Sequence, residues 1–326
     1  MSEVTLVEAV NMALARAMSV DEDVVVLGED VGVNGGVFRA TAGLQERFGE
    51  ARVIDTPLAE NLIAGTAVGM AAHGLKPIAE IQFMGFIYPA LDQLLSHASR
   101  LRTRTRGRLT CPMVLRAPFG GGIHAPEHHS ESTEALFAHI PGLRVVIPSS
   151  PARAYGLLLA SIRDPDPVVF LEPKRIYRMV KQDVADDGRA LPLDVCFVLR
   201  SGADVTLVTW GAMIHETIQA ADALSSAGIS AEVIDIATIK PLDIETILES
   251  VEKTGRCVIV HEAARSGGWG AEISAQLMER GLLSLLAPVQ RVTGYDTVMP
   301  LFRLEDRYMP SVDRIVQAVH ATLEFE

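Results

Sequence analysis

The chain has 326 residues, of which 48% are apolar, 5% aromatic and 21% charged, and it carries a formal net charge of −12. That length exceeds the usual size of one domain and predicts two, each able to bury its own core. The acidic balance speaks against a nucleic-acid partner, and Asp, Glu, Arg or Pro interrupts every apolar run before the roughly 18 uncharged residues that a membrane helix needs.

The first helix is predicted to start at Thr5, with Glu8 three residues on completing a capping box, and to run to about Met18. A strand at 24–27 leads into the glycine-rich turn GEDVGVNGGVF, the kind of loop that α/β sheets place at a strand exit to meet ligands. The alternation continues with a strand at 52–55 and a helix at 61–73, then a strand at 77–82 and one helix at 89–102. Strands at 114–117, 145–148 and 168–171, with a helix at 152–162, complete a first domain over residues 1–180. Continuous apolar strands between amphipathic helices predict a parallel sheet covered on both faces. The polar stretch 181–202 reads as a linker, and residues 203–326 repeat the pattern with strands at 205–210, 232–236, 257–262 and 289–293 and a closing helix at 311–323. The fold class is α/β, with two doubly wound domains.

Cys111, Cys196 and Cys257 are odd in number and widely spaced in apolar stretches, as buried thiols of a reducing compartment are. The N-terminal residues lack the pattern of a signal peptide, so the expected location is the cytoplasm. Abundant Ala, Val, Ile and Leu with few aromatic residues predict an oligomer. The basic cluster between Arg100 and Arg108 reads as a solvated helix end, with an interface to an acidic partner as the alternative.

Neither Gly28–Gly36 nor Gly120–Gly122 has the order of a Walker loop or of a dinucleotide-binding turn, which speaks against NAD or ATP. More informative is DTPLAE, residues 55–60, at a strand exit and a helix start. Glu60 there reads either as a carboxylate favoured by the helix dipole or as a functional acid. A second segment, GGGIHAPEHHSES, carries three His and two Glu. Side chains of neighbouring residues His128 and His129 diverge on most backbones, so a two-His metal site is not expected; one of them lining a cleft as a proton donor is.

These segments, together with EIQF, YPALDQ, HIPGLRVVIPSSP, IRDPDPVVFLEPKRIYR and APVQRVTGYD, resemble the beta subunit of 2-oxo acid dehydrogenases of the pyruvate and branched-chain type, along essentially the whole chain. The resemblance implies a transketolase-like pyrimidine-binding domain followed by a transketolase C-terminal-like domain. It implies thiamine diphosphate with Mg²⁺, held between this chain and an alpha subunit in an α2β2 assembly. No GDG occurs in the sequence, so the diphosphate and Mg²⁺ ligands are expected on the alpha subunit. The implied reaction is oxidative decarboxylation of a 2-oxo acid with reductive acylation of a lipoyl domain, in complex with a core acyltransferase. Neither nucleic acid nor membrane is an expected partner.

By the same resemblance, Glu60 is the acid that hydrogen-bonds N1′ of the aminopyrimidine. Leu58, Gln82 and Phe86 surround that ring, with Phe86 standing where many relatives carry Tyr. His129 is the histidine that assists acyl transfer to the lipoyl sulfur, with His128 its weaker neighbour. Glu29 matches a carboxylate near the dimer centre, with a proton path between sites as its implied role. Met113, Ser161, Ile162, Asp164 and Asp166 match a loop that takes K⁺ largely through backbone carbonyls; a polar turn capping a helix explains the same residues. Alternatives are an acetoin dehydrogenase beta subunit, a transketolase-like half enzyme and a non-catalytic assembly subunit.

Overall fold

The computed structural model describes residues 2–325, which divide into two compact units. The first takes the chain up to Phe119 together with Leu136–Leu193; the second takes Gly120–Ala135 and the chain from Asp194 onward.

In the first unit, β1 (Ser2–Thr5) leads into α1 (Leu6–Val20), whose N-cap is Thr5. The capping box forms as expected, with the Thr5 N–H donating to Glu8 at 2.7 Å and Glu8 N–H donating back to the Thr5 hydroxyl. Then come β2 (Val24–Gly28), α2 (Leu44–Phe48), β3 (Val53–Asp55), α3 (Glu60–Ala72), β4 (Lys76–Glu80), α4 (Tyr88–Ser96), α5 (Leu101–Arg104) and β5 (Val114–Phe119). After α6 (Glu134–Ala138), where the chain returns from the second unit, follow β6 (Arg144–Val146), α7 (Pro151–Arg163), β7 (Val168–Pro173) and β8 (Lys181–Val184). The central strands run in the order β6-β7-β5-β4-β2-β3, each parallel to its neighbour. Their side chains are almost all buried, and α1 packs on α7 while α3 packs on α4, as a parallel sheet covered by helices requires.

The single helix expected at 89–102 is broken. α4 stops at Ser96, a 3₁₀ turn spans Ala98–Arg100 and α5 resumes at Leu101. Gly142 permits a close approach at this point: a Cβ on it would lie 2.3 Å from the Ser99 carbonyl oxygen. The carbonyls released at the break are taken by Ser99 Oγ and Arg100 Nε, both donating to Leu95 O, and by Arg104 donating to Ser96 O. Part of the basic cluster thus acts as a helix C-cap.

The stretch expected as a linker, 181–202, carries two strands. β8 pairs antiparallel with β1, from Ser2↔Val184 to Thr5↔Lys181, and β9 (Phe197–Arg200) forms the edge of the second sheet. The second unit continues with β10 (Val205–Thr209), α8 (Ile214–Ser226), β11 (Ala231–Asp235), β12 (Thr238–Lys240), α9 (Ile244–Thr254), β13 (Cys257–Val260), α10 (Trp269–Gly281), β14 (Gln290–Val292), α11 (Phe302–Tyr308) and α12 (Val312–Leu323). Its sheet runs β14-β13-β10-β11-β9, parallel except for β9. One core joins Val205, Leu207, Val233 and Val258 to Leu224 of α8 and Ile315 and Val319 of α12.

All three cysteines are free thiols, and burial pushes Cys111 and Cys257 up to about 12. Among the described residues no helix is long and apolar enough to cross a membrane.

Candidate active site

In the first unit the exits of β2, β3 and β4 lie side by side, because these strands are sheet neighbours in register. Three loops therefore converge there, the position at which open parallel sheets bind ligands. The turn after β2 is tied to the end of β3 by the Gly32 N–H, which donates to Asp55 Oδ1 at 2.6 Å. Thr56 N–H donates to Gly28 O at 2.9 Å and fixes the start of the Pro57–Leu58–Ala59 turn.

That turn delivers Glu60 as the first residue of α3. The Ala59 N-cap offers no side chain to the free N–H groups, so the helix dipole favours an acid at Glu60, and the side chain is half-buried. Glu29, also half-buried at the end of β2, has its carboxyl held above the usual range, first by burial and then by the charges of Asp30 and Glu60. The structure thus brings Glu29 and Glu60 within electrostatic reach of each other. Leu58 is 72% exposed beside them, and Gln82 and Phe86 are half-buried on the segment after β4.

Behind this segment lies a network that the sequence reading missed. The Phe86 and Phe83 rings meet edge to face at 6.0 Å, Phe83 meets Phe38 at 5.4 Å, and Phe38 meets Tyr177 at 5.2 Å. The Tyr177 hydroxyl donates to Glu172 at 2.5 Å. Arg116, 2% exposed, then donates to both oxygens of Glu172, at 2.6 and 3.0 Å, and to Glu80 Oε2 at 2.8 Å. Gly36, with φ of 77°, passes so close that a Cβ on it would meet Glu80 Oε1 at 2.7 Å. Burial raises the Glu80 carboxyl above its usual range; Arg116 opposes that rise and the Glu172 charge adds to it. The charges Glu80, Arg116 and Glu172 in the apolar strands KPIAE, VLRAPF and VVFLEP were the available signal, since a charge buried in a strand needs a partner.

The expected K⁺ loop lies in the same unit. The Met113 carbonyl accepts from Val168 N–H at 2.9 Å and the Ser161 carbonyl from Asp164 N–H at 3.3 Å. Asp164 pairs with Arg144 at 2.9 Å and Asp166 with Arg102 at 2.7 Å, while the Ile162 side chain is buried. Among the described residues no group of three or more His, Cys, Asp or Glu is arranged to hold a metal ion.

His129 belongs to the second unit. It ends a 3₁₀ turn over Glu127–His129, with its N–H donating to Pro126 O at 2.9 Å. The ring is half-buried, whereas His128 is exposed, and the two ring centroids stand 6.2 Å apart at 38°. The neck of the loop is closed by Gly120 N–H donating to Glu131 O at 2.9 Å. Three further backbone donors go to buried acids: Gly121 to Glu262 at 2.9 Å, and Gly122 and His124 to the two oxygens of Glu305 at 2.6 and 2.9 Å. Glu134 is fully buried at the start of α6; burial, with the Glu262 charge adding to it, pushes its carboxyl up to about 7.

Comparison with known proteins finds family models and relatives that match along the chain. The transketolase pyrimidine-binding domain matches residues 2–180 and the transketolase C-terminal domain matches residues 196–315. A protein of Acholeplasma laidlawii named pyruvate dehydrogenase E1 component subunit beta is 53% identical over 315 residues, covering 97% of this chain and 96% of that protein. The protein of the same name from Bacillus subtilis (strain 168) is 49% identical over 325 residues, covering 100% of both. Among solved structures, one titled "Split gene transketolase, inactive beta4 tetramer" superposes with a TM-score of 0.81 at 25% identity, covering 99% of each chain.

Proposed function

The chain belongs to the family of pyruvate dehydrogenase E1 component beta subunits, and on that premise we propose that it catalyses oxidative decarboxylation of pyruvate and reductive acylation of a lipoyl domain, jointly with an alpha subunit in an α2β2 assembly. The observation that carries this reading is Glu60 on the first turn of α3, with the raised carboxyl of Glu29 close to it. The surroundings suit an aminopyrimidine. Leu58 offers apolar surface that is 72% exposed, Phe86 a ring face, Gln82 an amide, and Glu60 an acid for a ring nitrogen.

Thiamine diphosphate supplies, when bound, the nucleophilic carbon and the electron sink that decarboxylation of a 2-oxo acid needs. This chain's part is to hold the pyrimidine end through Glu60, Leu58, Gln82 and Phe86, while the alpha subunit holds the diphosphate and Mg²⁺. Glu60 holds a proton at N1′. His129 donates a proton during transfer of the acyl group to the lipoyl sulfur. Glu29 buffers charge next to Glu60.

Reconstitution with an alpha subunit, followed by assay against pyruvate, 2-oxoisovalerate and acetoin with a lipoyl domain as acceptor, tests the reading. Pyruvate should be preferred, by the roughly 1–3 kcal/mol that a few methylenes in a pocket are worth. The isolated chain should be inactive. Equal or greater use of 2-oxoisovalerate would reassign the substrate, and Mg²⁺-dependent turnover by the chain alone would remove the alpha subunit from the proposal.

We place K⁺ in the loop of Met113, Ser161, Ile162, Asp164 and Asp166, bound mainly through carbonyl oxygens. A cation that binds the folded state alone stabilises it by mass action. The thermal midpoint should therefore be higher in KCl than in choline chloride of equal ionic strength. Identical midpoints would leave the segment as a turn held by Arg144 and Arg102.

A further inference from the structure

We propose that Glu305 and Glu262 are positioning residues for His129: their buried carboxylates fix the turn Gly121–Gly122–Ile123–His124 and so set where the imidazole is presented. The proposal rests on the reading of His129 as the residue that assists acyl transfer. It adds that the second unit, through two side chains far along the chain, controls that step.

The segment between Phe119 and Glu127 has no regular secondary structure to hold it. Its N–H groups nevertheless do not point at random. Gly121 donates to Glu262 Oε2 at 2.9 Å, Gly122 to Glu305 Oε1 at 2.6 Å and His124 to Glu305 Oε2 at 2.9 Å. The acids come from positions 141 to 183 residues downstream, and they are only 5% and 1% exposed. Hydrogen bonds from backbone N–H to a carboxylate are short and strong, and removal from water strengthens them further.

Two more features show that the fit is tight. Gly120 has φ of 85°, and a Cβ on it would lie 2.6 Å from Glu262 Oε1; a Cβ on Gly121 would lie 2.5 Å from Met299 Cε. His124 sits in the left-handed region at φ of 58°, a conformation that costs a non-glycine residue energy unless its surroundings hold it there. Glu305 holds it through the backbone N–H at 2.9 Å, and the His124 Nε2 lies 3.7 Å from the same carboxylate. The loop clamped in this way carries His129 a few residues on, and its neck is closed behind His129 by the bond from Gly120 N–H to Glu131 O.

Both oxygens of Glu305 accept a backbone N–H, so an amide at this position must set its NH₂ against one of those donors. Glu305→Gln should thus release the turn.

The test uses the reconstituted complex of this chain with an alpha subunit. Decarboxylation is read with an artificial electron acceptor, and acyl transfer with a free lipoyl domain. Glu305→Gln should lower kcat for transfer relative to decarboxylation by about 10- to 100-fold, the scale of loss that a displacement near 1 Å produces, with little change in KM for the lipoyl domain. Glu262→Ala, which removes the acceptor of the Gly121 N–H, should lower transfer relative to decarboxylation in the same direction. Combined with His129→Ala, Glu305→Gln should add no further loss, and amide hydrogen exchange should rise in a peptide spanning residues 120–131. Transfer at the wild-type rate in Glu305→Gln, alongside a depressed His129→Ala, would overturn the proposal and leave the role of His129 standing. Losses that multiply in the double variant would also overturn it, since Glu305 would then act independently of His129. Wild-type transfer in His129→Ala would instead remove the reading on which the proposal rests. If the glutamine variant does not assemble, Glu305→Asp, which keeps the charge and withdraws both oxygens by one methylene, takes its place in the same cycle.

Discussion

Arg116→Met should lower the thermal midpoint of the unit that holds it by about 6–20 °C, the equivalent of roughly 3–5 kcal/mol at 2–4 °C per kcal/mol. The reason is asymmetry. Arg116 is the cation between Glu80 and Glu172, all three are almost fully buried, and methionine leaves two carboxylates facing each other with no water. The pH dependence identifies the cause. Burial already holds the Glu80 carboxyl above its usual range, and loss of Arg116 removes what opposes that rise. A group whose folded pKa lies above its unfolded value stabilises the fold below the unfolded pKa, and that contribution is lost as pH rises through the folded value. The deficit of the variant should accordingly shrink as pH falls from about 8 toward about 5. Adding Glu80→Gln and Glu172→Gln should recover part of the loss, because the buried like charges are then gone. A deficit that is flat with pH and unchanged in the triple variant would show that Arg116 acts through packing alone.

That network also shows where the sequence stops being legible. The α1 cap could be read because Thr5 and Glu8 satisfy each other within one turn. The alternation of strands and helices could be read because apolar periodicity is local. The pairing of Glu80 with Arg116 could not, since it depends on β4 and β5 being neighbours in a register that sets these two residues opposite each other. The break after Ser96 was hidden for the same reason: the glycine that permits the close approach at Ser99, Gly142, lies far along the chain. Tyr177 had no role read for it within IRDPDPVVFLEPKRIYR, yet it ends the chain of rings from Phe86 and donates to Glu172.

The candidate site divides in the same way. Glu60 stood out because DTPLAE lies at a strand exit, while Leu58, Gln82 and Phe86 were reached only through the family resemblance that DTPLAE and EIQF help to carry. What holds those motifs in place, such as the bond from Gly32 to Asp55, joins separate loops and leaves no local mark. The histidine loop was legible as chemistry through HHSES. Its grouping with the second unit was not, because its acceptors lie on Glu262 and Glu305.

Glu60→Gln should slow hydrogen–deuterium exchange at C2 of thiamine diphosphate bound to the reconstituted complex by about 10² to 10⁴, the range of a positioned acid or base. Glutamine keeps the size of the side chain and its place on the first turn of α3. It also keeps a hydrogen bond to a ring nitrogen. What it lacks is a carboxyl able to share a proton with N1′, so the step that depends on that proton fails while the ring remains seated among Leu58, Gln82 and Phe86. Cofactor affinity should fall only modestly, since one hydrogen bond to a charged group is worth roughly 1.5–3 kcal/mol. Rate and affinity therefore separate, and they separate in opposite ways for the two roles open to Glu60. An acid that only favours the helix start would lose a few tenths to about 1 kcal/mol of stability on neutralisation and nothing in exchange rate. Exchange at C2 is read before decarboxylation and before acyl transfer, so neither substrate choice nor His129 enters the result. Wild-type exchange in the glutamine variant, with a lowered thermal midpoint, would return Glu60 to the helix and take with it the main support for catalysis by this chain.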